Sequence, residues 1–510
     1  MALATIMSRL LGLVREQLMA WQFGASGLTD AFLIAYRIPN LFRDLLAEGA
    51  FSAAFVPKFV EAFSKGGNRA QKLLYSCGLL LFLLTFILSL GMIVFSEELI
   101  FLFSDDKFHV NLEQFNLAVM MLKIMSFYLL FVCLAALLMG ALNSLKMFFI
   151  PALAPVVFNL SMIGSLIYLP NLLNGLGKPA IYALSIGVLI GGIGQFLIQL
   201  PFIFKKNLKP TLRFQPFHSS TRGVFVALGP GLIGFAATQL NLLIATILAT
   251  STIAGAVSWL SYAFRLFQLP MGVIGVSLGS SHLVHFSEAL KNEDQKLAIT
   301  ILKNSSFYAF SFILPFCVTY LAIGEEIVRL IFERGQFDSV STQNTFLALR
   351  LYALSLPFYC LVKVYTPSFY SLNKPKKAVF SSVISILLNI SFSLFFLESY
   401  GFLALALGLS LGVFLNSAIQ VSLLAKELET SVLSLFSPSW IKSFFAALCC
   451  YGLGYFLGNI QVFYAQEGIV LGLFKIGLKS FSILASYIFI LYLLGEKAFI
   501  QAISKRLSRK

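Results

Sequence analysis

Ten cations stand within stretches that are otherwise apolar enough to cross a bilayer: Arg9, Arg15, Arg37, Arg43, Lys123, Arg265, Arg350, Lys363, Lys475 and Lys479. Only four acids accompany them, Glu16, Asp30, Asp44 and Glu48, and no Asp or Glu occurs from 114 to 287. An unpaired charge at the centre of a spanning helix costs on the order of 3 kcal/mol or more, so such residues face a protein interior or a watery cavity and mark a substrate path. Here the surplus is positive, and an anionic ligand would offset its cost. Arginine is the apt residue for phosphate, because its planar fork donates parallel hydrogen bonds to paired oxygens and stays ionised. Several arginines from different helices suit a diphosphate. A cavity for organic cations would instead present unpaired carboxylates and aromatic faces.

Depth separates these residues. Lys123 and Arg350 lie within two turns of a span end, where a long side chain can snorkel to the interface. Arg9 and Asp30 also lie near span ends. Arg15, Arg37, Arg43, Arg265 and Lys363 sit deeper and are expected to line the cavity. On an unbroken helix, positions 30, 37, 44 and 48 return to one face. Asp30, Arg37, Asp44 and Glu48 are therefore expected as one partly self-neutralising stripe, with Arg43 pointing elsewhere, free for a ligand.

Other chemistry is hard to find. The phosphate-loop pattern G-x-x-x-x-G-K-[ST] is absent, and no nucleophile stands with its base. Cys77, Cys133, Cys317, Cys360, Cys449 and Cys450 fall in apolar runs and read as small core residues. His282 and His285 read as an interfacial pair near a helix end. Asp105-Asp106 is the one obvious carboxylate pair for a membrane glycan polymerase, and it reads as a solvated loop. The expectation is a non-enzyme without cofactor or metal.

The elements that must position these groups are membrane helices. Of 510 residues, 58% are apolar and 12% charged, against about 25% charged in a soluble domain. Runs of about 20 apolar residues recur along the chain. Fourteen spans are expected: 2–23, 28–57, 73–95, 117–143, 150–169, 180–203, 223–250, 257–287, 304–323, 343–371, 378–396, 402–423, 443–460 and 473–494. Gly12, Pro39 and Pro270 are candidate kinks. Arg9 and Arg15 interrupt what would be the apolar region of a cleavable signal. With this map, 23 of 37 Lys and Arg fall on one side and four on the other. Positive loops stay cytoplasmic, so both termini are expected inside. The net charge of +15 is thus topology plus cavity, and nucleic acid is not implied.

The chain also repeats. Ala35-Tyr36-Arg37 resembles Ala263-Phe264-Arg265, and Phe127-Tyr128 recurs as Phe358-Tyr359. Leu142-Asn143 recurs as Leu372-Asn373, and Asn159-Leu160-Ser161 as Asn389-Ile390-Ser391. Gly187, Gly191 and Gln199 match Gly408, Gly412 and Gln420. The unit is six spans, so the two copies run parallel, as in transporters whose site lies between the halves near the midplane. The expected organisation is an N-lobe (1–204, spans one to six), a cytoplasmic linker (205–222), a C-lobe (223–425, spans seven to twelve), and an addition (426–510) holding two further helices and a basic tail.

The stretch SRLLGLVRE followed by FGASGLTDAFLIAYRIPNLFRDLLAEGAFSAAFVP resembles the N-terminal signature of the MurJ/MviN family. These are lipid II flippases of the multidrug/oligosaccharidyl-lipid/polysaccharide exporter superfamily. The resemblance continues through IPALAPVVFNLSMIG (150–164), VSWLSYAFRLFQLPMGVIGVSLG (257–279) and LVKVYTPSFYSLNKPKKA (361–378), covering nearly the whole chain. It implies V-shaped lobes around a central cavity. It further implies that lipid II, an undecaprenyl-diphosphate-linked glycopeptide, moves from the inner to the outer leaflet of the cytoplasmic membrane for peptidoglycan synthesis. Arg9, Arg15, Arg43 and Arg265 match the family's cavity arginines and are expected to clamp the diphosphate, with Ser8 adjacent. Asp30 matches the functional aspartate of the TDAF motif, and Glu48 the gate glutamate of the AEGAF motif. Lys363 matches a basic position that would pair with Glu48. Arg37 supports the same cavity. The last two helices correspond to a groove for the lipid tail. Lipid II, membrane lipids and cell-wall synthesis enzymes are the partners this implies, and nucleic acid is not among them. Some relatives bind sodium through carboxylates on the seventh and eleventh spans, and this sequence has none there. The alternatives on sequence grounds are export of another polyprenyl-diphosphate-linked glycan and, further off, the polymerase.

Overall fold

A computed structural model describes residues 2–47, 50–211, 214, 218–459 and 469–496. The described residues form helices joined by turns, with no strand among them. Long apolar runs dictate this, since a helix satisfies every backbone polar group within its own segment. The chain is an all-α polytopic membrane protein, in which eleven described helical segments are long and apolar enough to cross a membrane. The expected count of fourteen is not confirmed. The three expected spans that fall short are helical, but two of them (2–23 and 28–57) carry the charges discussed above. For the third (223–250), only Asn241–Thr250 stands out as a shorter apolar helix among the described residues.

The chain divides into two compact units, Met1–Ser258 and Trp259–Lys510. The first contains α1 (Ala2–Phe23), α2 (Gly27–Leu46), α3 (Ala50–Ser64), α4 (Gly67–Val94), α5 (Ser96–Leu102), α6 (Asp106–Val110), α7 (Leu112–Met125), α8 (Tyr128–Ser144), α9 (Phe149–Gly175), α10 (Tyr182–Leu197), α11 (Leu200–Lys205) and α12 (Ser219–Thr250). Helix α1 packs on α9, α9 on α10, α10 on α7 and α8, α2 on α7, and α3 on α4 and α8. Helix α12 lies against α2, α3 and α4, so the spatial division falls one span later than the start of the sequence repeat. Gly24, at φ 65°, turns α1 into α2, a backbone shape that favours glycine. The single expected span 28–57 is two helices: α2 runs unbroken through Pro39 and ends at Leu46.

The second unit begins within α13 (Ala256–Lys291) and continues with α14 (Gln295–Phe332), α15 (Ser339–Ser371), α16 (Pro375–Tyr400), α17 (Phe402–Glu427), α18 (Val432–Leu435), α19 (Pro438–Asn459) and α20 (Ile469–Leu493). Helix α14 packs on α15, α15 on α17, and α16 on α17. The two added helices, α19 and α20, pack on each other and on α14. Polar ties hold them there. Lys479 Nζ lies 2.8 Å from both oxygens of Glu326, and Ser311 and Ser443 hydroxyls meet at 2.8 Å.

The repeat is visible in the packing. A Cβ at Gly191 would come within 2.6 Å of the Phe158 ring on α9, and one at Gly412 within 2.9 Å of the Ser385 carbonyl on α16. Both glycines let their helix approach the preceding one closely. Gln199 donates to the Ala135 carbonyl at 3.1 Å, and its counterpart Gln420 donates to Thr366 Oγ1 at 3.1 Å, so equivalent amides tie equivalent helices.

Candidate functional site

Helix α1 presents Arg15 to α9. Its Nη1 donates to Asn159 Oδ1 at 3.0 Å, and its Nη2 to Glu16 Oε1 at 2.5 Å. The guanidinium carbon lies 5.8 Å from the centroid of the Phe158 ring. Asn159 also donates to the Ser8 carbonyl at 2.9 Å and the Ser8 hydroxyl at 3.5 Å. One amide therefore fixes both the first turns of α1 and the guanidinium two turns on. Glu16 is buried at 5% exposure, while Arg9 is exposed.

Three members of the expected stripe on helix α2, Asp30, Arg37 and Asp44, meet α12 and the turn that follows it. Asp30 accepts from the Gly255 amide at 2.6 Å, and from the Ser258 amide and hydroxyl at 2.8 and 2.5 Å. Arg37 Nε donates to Thr246 Oγ1 at 3.4 Å, and Gln239 Nε2 donates to Asp44 Oδ2 at 2.9 Å. The stripe runs antiparallel along α12 and the turn that follows it. The charged groups of α2 are thus met from α12 and the turn after it by neutral hydrogen-bonding groups. Asp30, 4% exposed, serves as a buried acceptor for the first turn of α13. Glu48, expected at the end of the stripe as a gate residue and as the partner of Lys363, lies outside the described residues.

Arg43 does not point away from Asp44. Its Nε and Nη2 both donate to Asp44 Oδ1, at 3.0 and 2.6 Å, and Nη1 lies 3.5 Å from the Tyr128 hydroxyl. Tyr128 packs on Phe158, centroid to centroid 5.9 Å, and on Tyr36 at 6.1 Å. Arg15 and Arg43 therefore border one aromatic floor, Phe158–Tyr128–Tyr36, each hydrogen-bonded to the acid next to it in the chain. A guanidinium fork is the side-chain geometry suited to a phosphate.

In the second unit, Arg265 is exposed on α13 and Lys363 half-buried on α15. Lys363 Nζ lies 5.6 Å from the Tyr359 centroid. Tyr359 is the repeat partner of Tyr128, so the same aromatic position meets a cation in each unit. His282 is buried with Nε2 2.7 Å from Ser368 Oγ, a packing role between α13 and α15. Among the described residues no group of three or more His, Cys, Asp or Glu could hold a metal ion. Five cysteines are buried, and Cys449 is the exposed exception. Asp105 caps α6, accepting from the Lys107 amide at 3.1 Å, and the Asp106 side chain is 95% exposed. The pair was expected as a solvated loop and instead starts a short helix, with Asp105 half-buried as its cap and Asp106 exposed.

Asn159, Tyr128, Phe158 and Gln239 join the site without being among its expected residues. Asn159 and Tyr128 were visible as members of repeat matches, and a polar side chain deep in a span is a signal by itself. Gln239, deep in the expected span 223–250, carried the second signal but belonged to no repeat match.

A family profile described as "Lipid II flippase MurJ" matches residues 19–478. The chain is 33% identical over 446 residues to "Lipid II flippase MurJ" of Burkholderia cenocepacia, covering 86% of this chain and 84% of that protein. Among solved structures, "Lipid II flippase MurJ, inward closed conformation" superposes with a TM-score of 0.78 at 26% identity, covering 98% of this chain and 99% of the other. An inward-facing multidrug resistance MATE family transporter of the MOP superfamily shares the fold, with a TM-score of 0.69 at 13% identity over 83% of this chain and 94% of that one. The chain belongs to the MurJ family.

Proposed function

We propose that this protein moves lipid II, the undecaprenyl-diphosphate-linked peptidoglycan precursor, from the inner to the outer leaflet of the bacterial inner membrane by alternating access. It is a transporter and catalyses no bond chemistry. The observation that carries the reading is the pair of arginine forks, Arg15 and Arg43, on one floor of aromatic rings. In this reading they clamp the diphosphate together with Arg9, with Ser8 and Arg37 in support. Asp30 holds the turn into α13. Arg265 and Lys363 carry an anion-binding role in the second unit. The six-span repeats act as lobes 1–204 and 223–425, and α19 and α20 accompany the lipid tail.

Both termini are proposed to be cytoplasmic, supported by the Lys and Arg bias of the loops, and cell-wall synthesis enzymes are proposed as partners. Membrane potential is the proposed drive, since a charge crossing the field changes its energy by about 2.3 kcal/mol per 100 mV. An inside-negative potential favours both outward movement of an anion and inward return of positive site residues. Collapsing the potential is expected to slow flipping, and unchanged flipping would refute that part.

The test of the whole is lipid II exposure at the outer leaflet of cells whose only flippase is this protein. Arg15→Ala and Arg43→Ala are expected to abolish exposure while remaining folded in the membrane. Unchanged exposure would assign the cationic site to another substrate.

A further inference from the structure

The two arginines proposed to bind the diphosphate are already occupied. Arg15 Nη2 is on the Glu16 carboxylate, and Arg43 holds Asp44 through two N–H groups. Each acid is the next residue in the chain, and so travels with its arginine. Glu16 is 5% exposed, and the Asp44 side chain 16%. The far oxygen of Asp44 is held by Gln239, so Asp44 has a second partner if Arg43 turns to a ligand. The neutral contacts of both arginines, Asn159 for Arg15 and the Tyr128 hydroxyl for Arg43, involve the Nη1 nitrogens and need not break at the same time.

We propose that Glu16 and Asp44 are internal counter-anions that set the specificity of the site, yielding to a diphosphate and excluding ordinary anionic phospholipids. This rests on the diphosphate reading of the same site. Each phosphodiester carries one negative charge. A lipid-linked diphosphate presents two such charges side by side and can replace both carboxylates at once, leaving the arginines neutralised. A phospholipid headgroup with a single phosphate replaces one carboxylate and leaves the other in place to repel it. This matters because bulk anionic lipid surrounds the protein in vast excess over any precursor, and bare guanidinium groups would fill with it. The same carboxylates neutralise the arginines in the empty carrier, and they re-enter the forks as the product leaves.

The experiment uses full-length protein reconstituted in vesicles of phosphatidylethanolamine alone, or of phosphatidylethanolamine with phosphatidylglycerol. Purified lipid II is the bound and flipped probe. Glu16→Gln and Asp44→Asn are near-isosteric and keep the hydrogen-bonding neighbours, and thermal unfolding checks that each is folded. Without phosphatidylglycerol, each variant is expected to bind lipid II more tightly, on the order of tenfold, the size of one altered charge-assisted contact. With phosphatidylglycerol, each is expected to lose that gain and to flip more slowly, while wild type is unaffected. A purely structural ion pair would give no phospholipid dependence. Folded variants that bind lipid II no more tightly and ignore phosphatidylglycerol would overturn the proposal. Arg15→Ala and Arg43→Ala in the same vesicles separate the two readings. If they lose lipid II binding while the acid variants behave as wild type, the counter-anion role fails alone. If they bind as wild type does, the diphosphate reading fails and this inference with it.

Discussion

Asp30 makes the sharpest energetic prediction. Its buried carboxylate accepts three hydrogen bonds, from the Gly255 amide and from the Ser258 amide and hydroxyl, at 2.5–2.8 Å. Asp30→Ala strands those donors at the start of α13. A buried donor left unsatisfied costs about 1–3 kcal/mol. Allowing for partial relaxation and water entry, the total is expected near 3–5 kcal/mol. Asp30→Asn keeps one oxygen, which can serve both Ser258 donors, but turns an NH₂ toward the Gly255 amide. It is expected to lose about 1–3 kcal/mol. The order of stability is therefore wild type, Asn, Ala. Unfolding of the purified protein in detergent, titrated with a denaturing detergent, reads the differences. Ser258→Ala supplies the control: its cost of about 1 kcal/mol should largely vanish in the Asp30→Ala background, because the hydroxyl has no acceptor left to lose. An Asp30→Ala protein within about 0.5 kcal/mol of wild type, the range of an ordinary surface change, would refute the idea that this carboxylate anchors the turn.

Three further predictions follow from single contacts. Gly412→Ala places a methyl 2.9 Å from the Ser385 carbonyl, a backbone atom that cannot rotate aside, and should destabilise the α16–α17 pair by about 1–3 kcal/mol; a wild-type unfolding midpoint would contradict it. Lys479→Ala removes the cation that meets both oxygens of Glu326 and should cost about 1–3 kcal/mol, the range for a hydrogen bond to a charged group, whereas Lys479→Met with Glu326→Leu should restore most of the loss. Lys374 and Lys377 both bind Glu427 and hold its carboxyl below the usual range. A carboxylate with a depressed folded pKa contributes stability that is complete above its ordinary pKa of about 4.3 and lost as pH falls through the lower folded value. Stability should therefore stay level from neutral pH to the carboxylate range and then fall, and Glu427→Gln should remove that acid-side loss in a thermal-shift series.

Much of the site was legible because charge inside a membrane span is expensive. Arg15, Arg37, Arg43, Asp30 and Asp44 stood out for that reason alone, and the period of the helix placed 30, 37 and 44 on one face. The structure honours that face, along α12. The repeat was equally readable, because close helix approach demands glycine at fixed points, and Gly187, Gly191, Gly408 and Gly412 recur in order.

What the sequence determined by itself was the membrane class, the repeat, and which side chains carry charge at depth, all of which follow from local composition and period. Only the tertiary structure decided where those charges go. Backbone period directs Cβ atoms, and adjacent residues on a helix leave it about 100° apart, so Arg43 and Asp44 looked separate. The arginine side chain is long enough to reach back to the adjacent carboxylate while its Nη1 stands by the Tyr128 hydroxyl. Likewise, no pattern links Gln239 to Asp44 or Asn159 to Arg15, because those partners lie 195 and 144 residues apart in the chain and meet only when the helices pack.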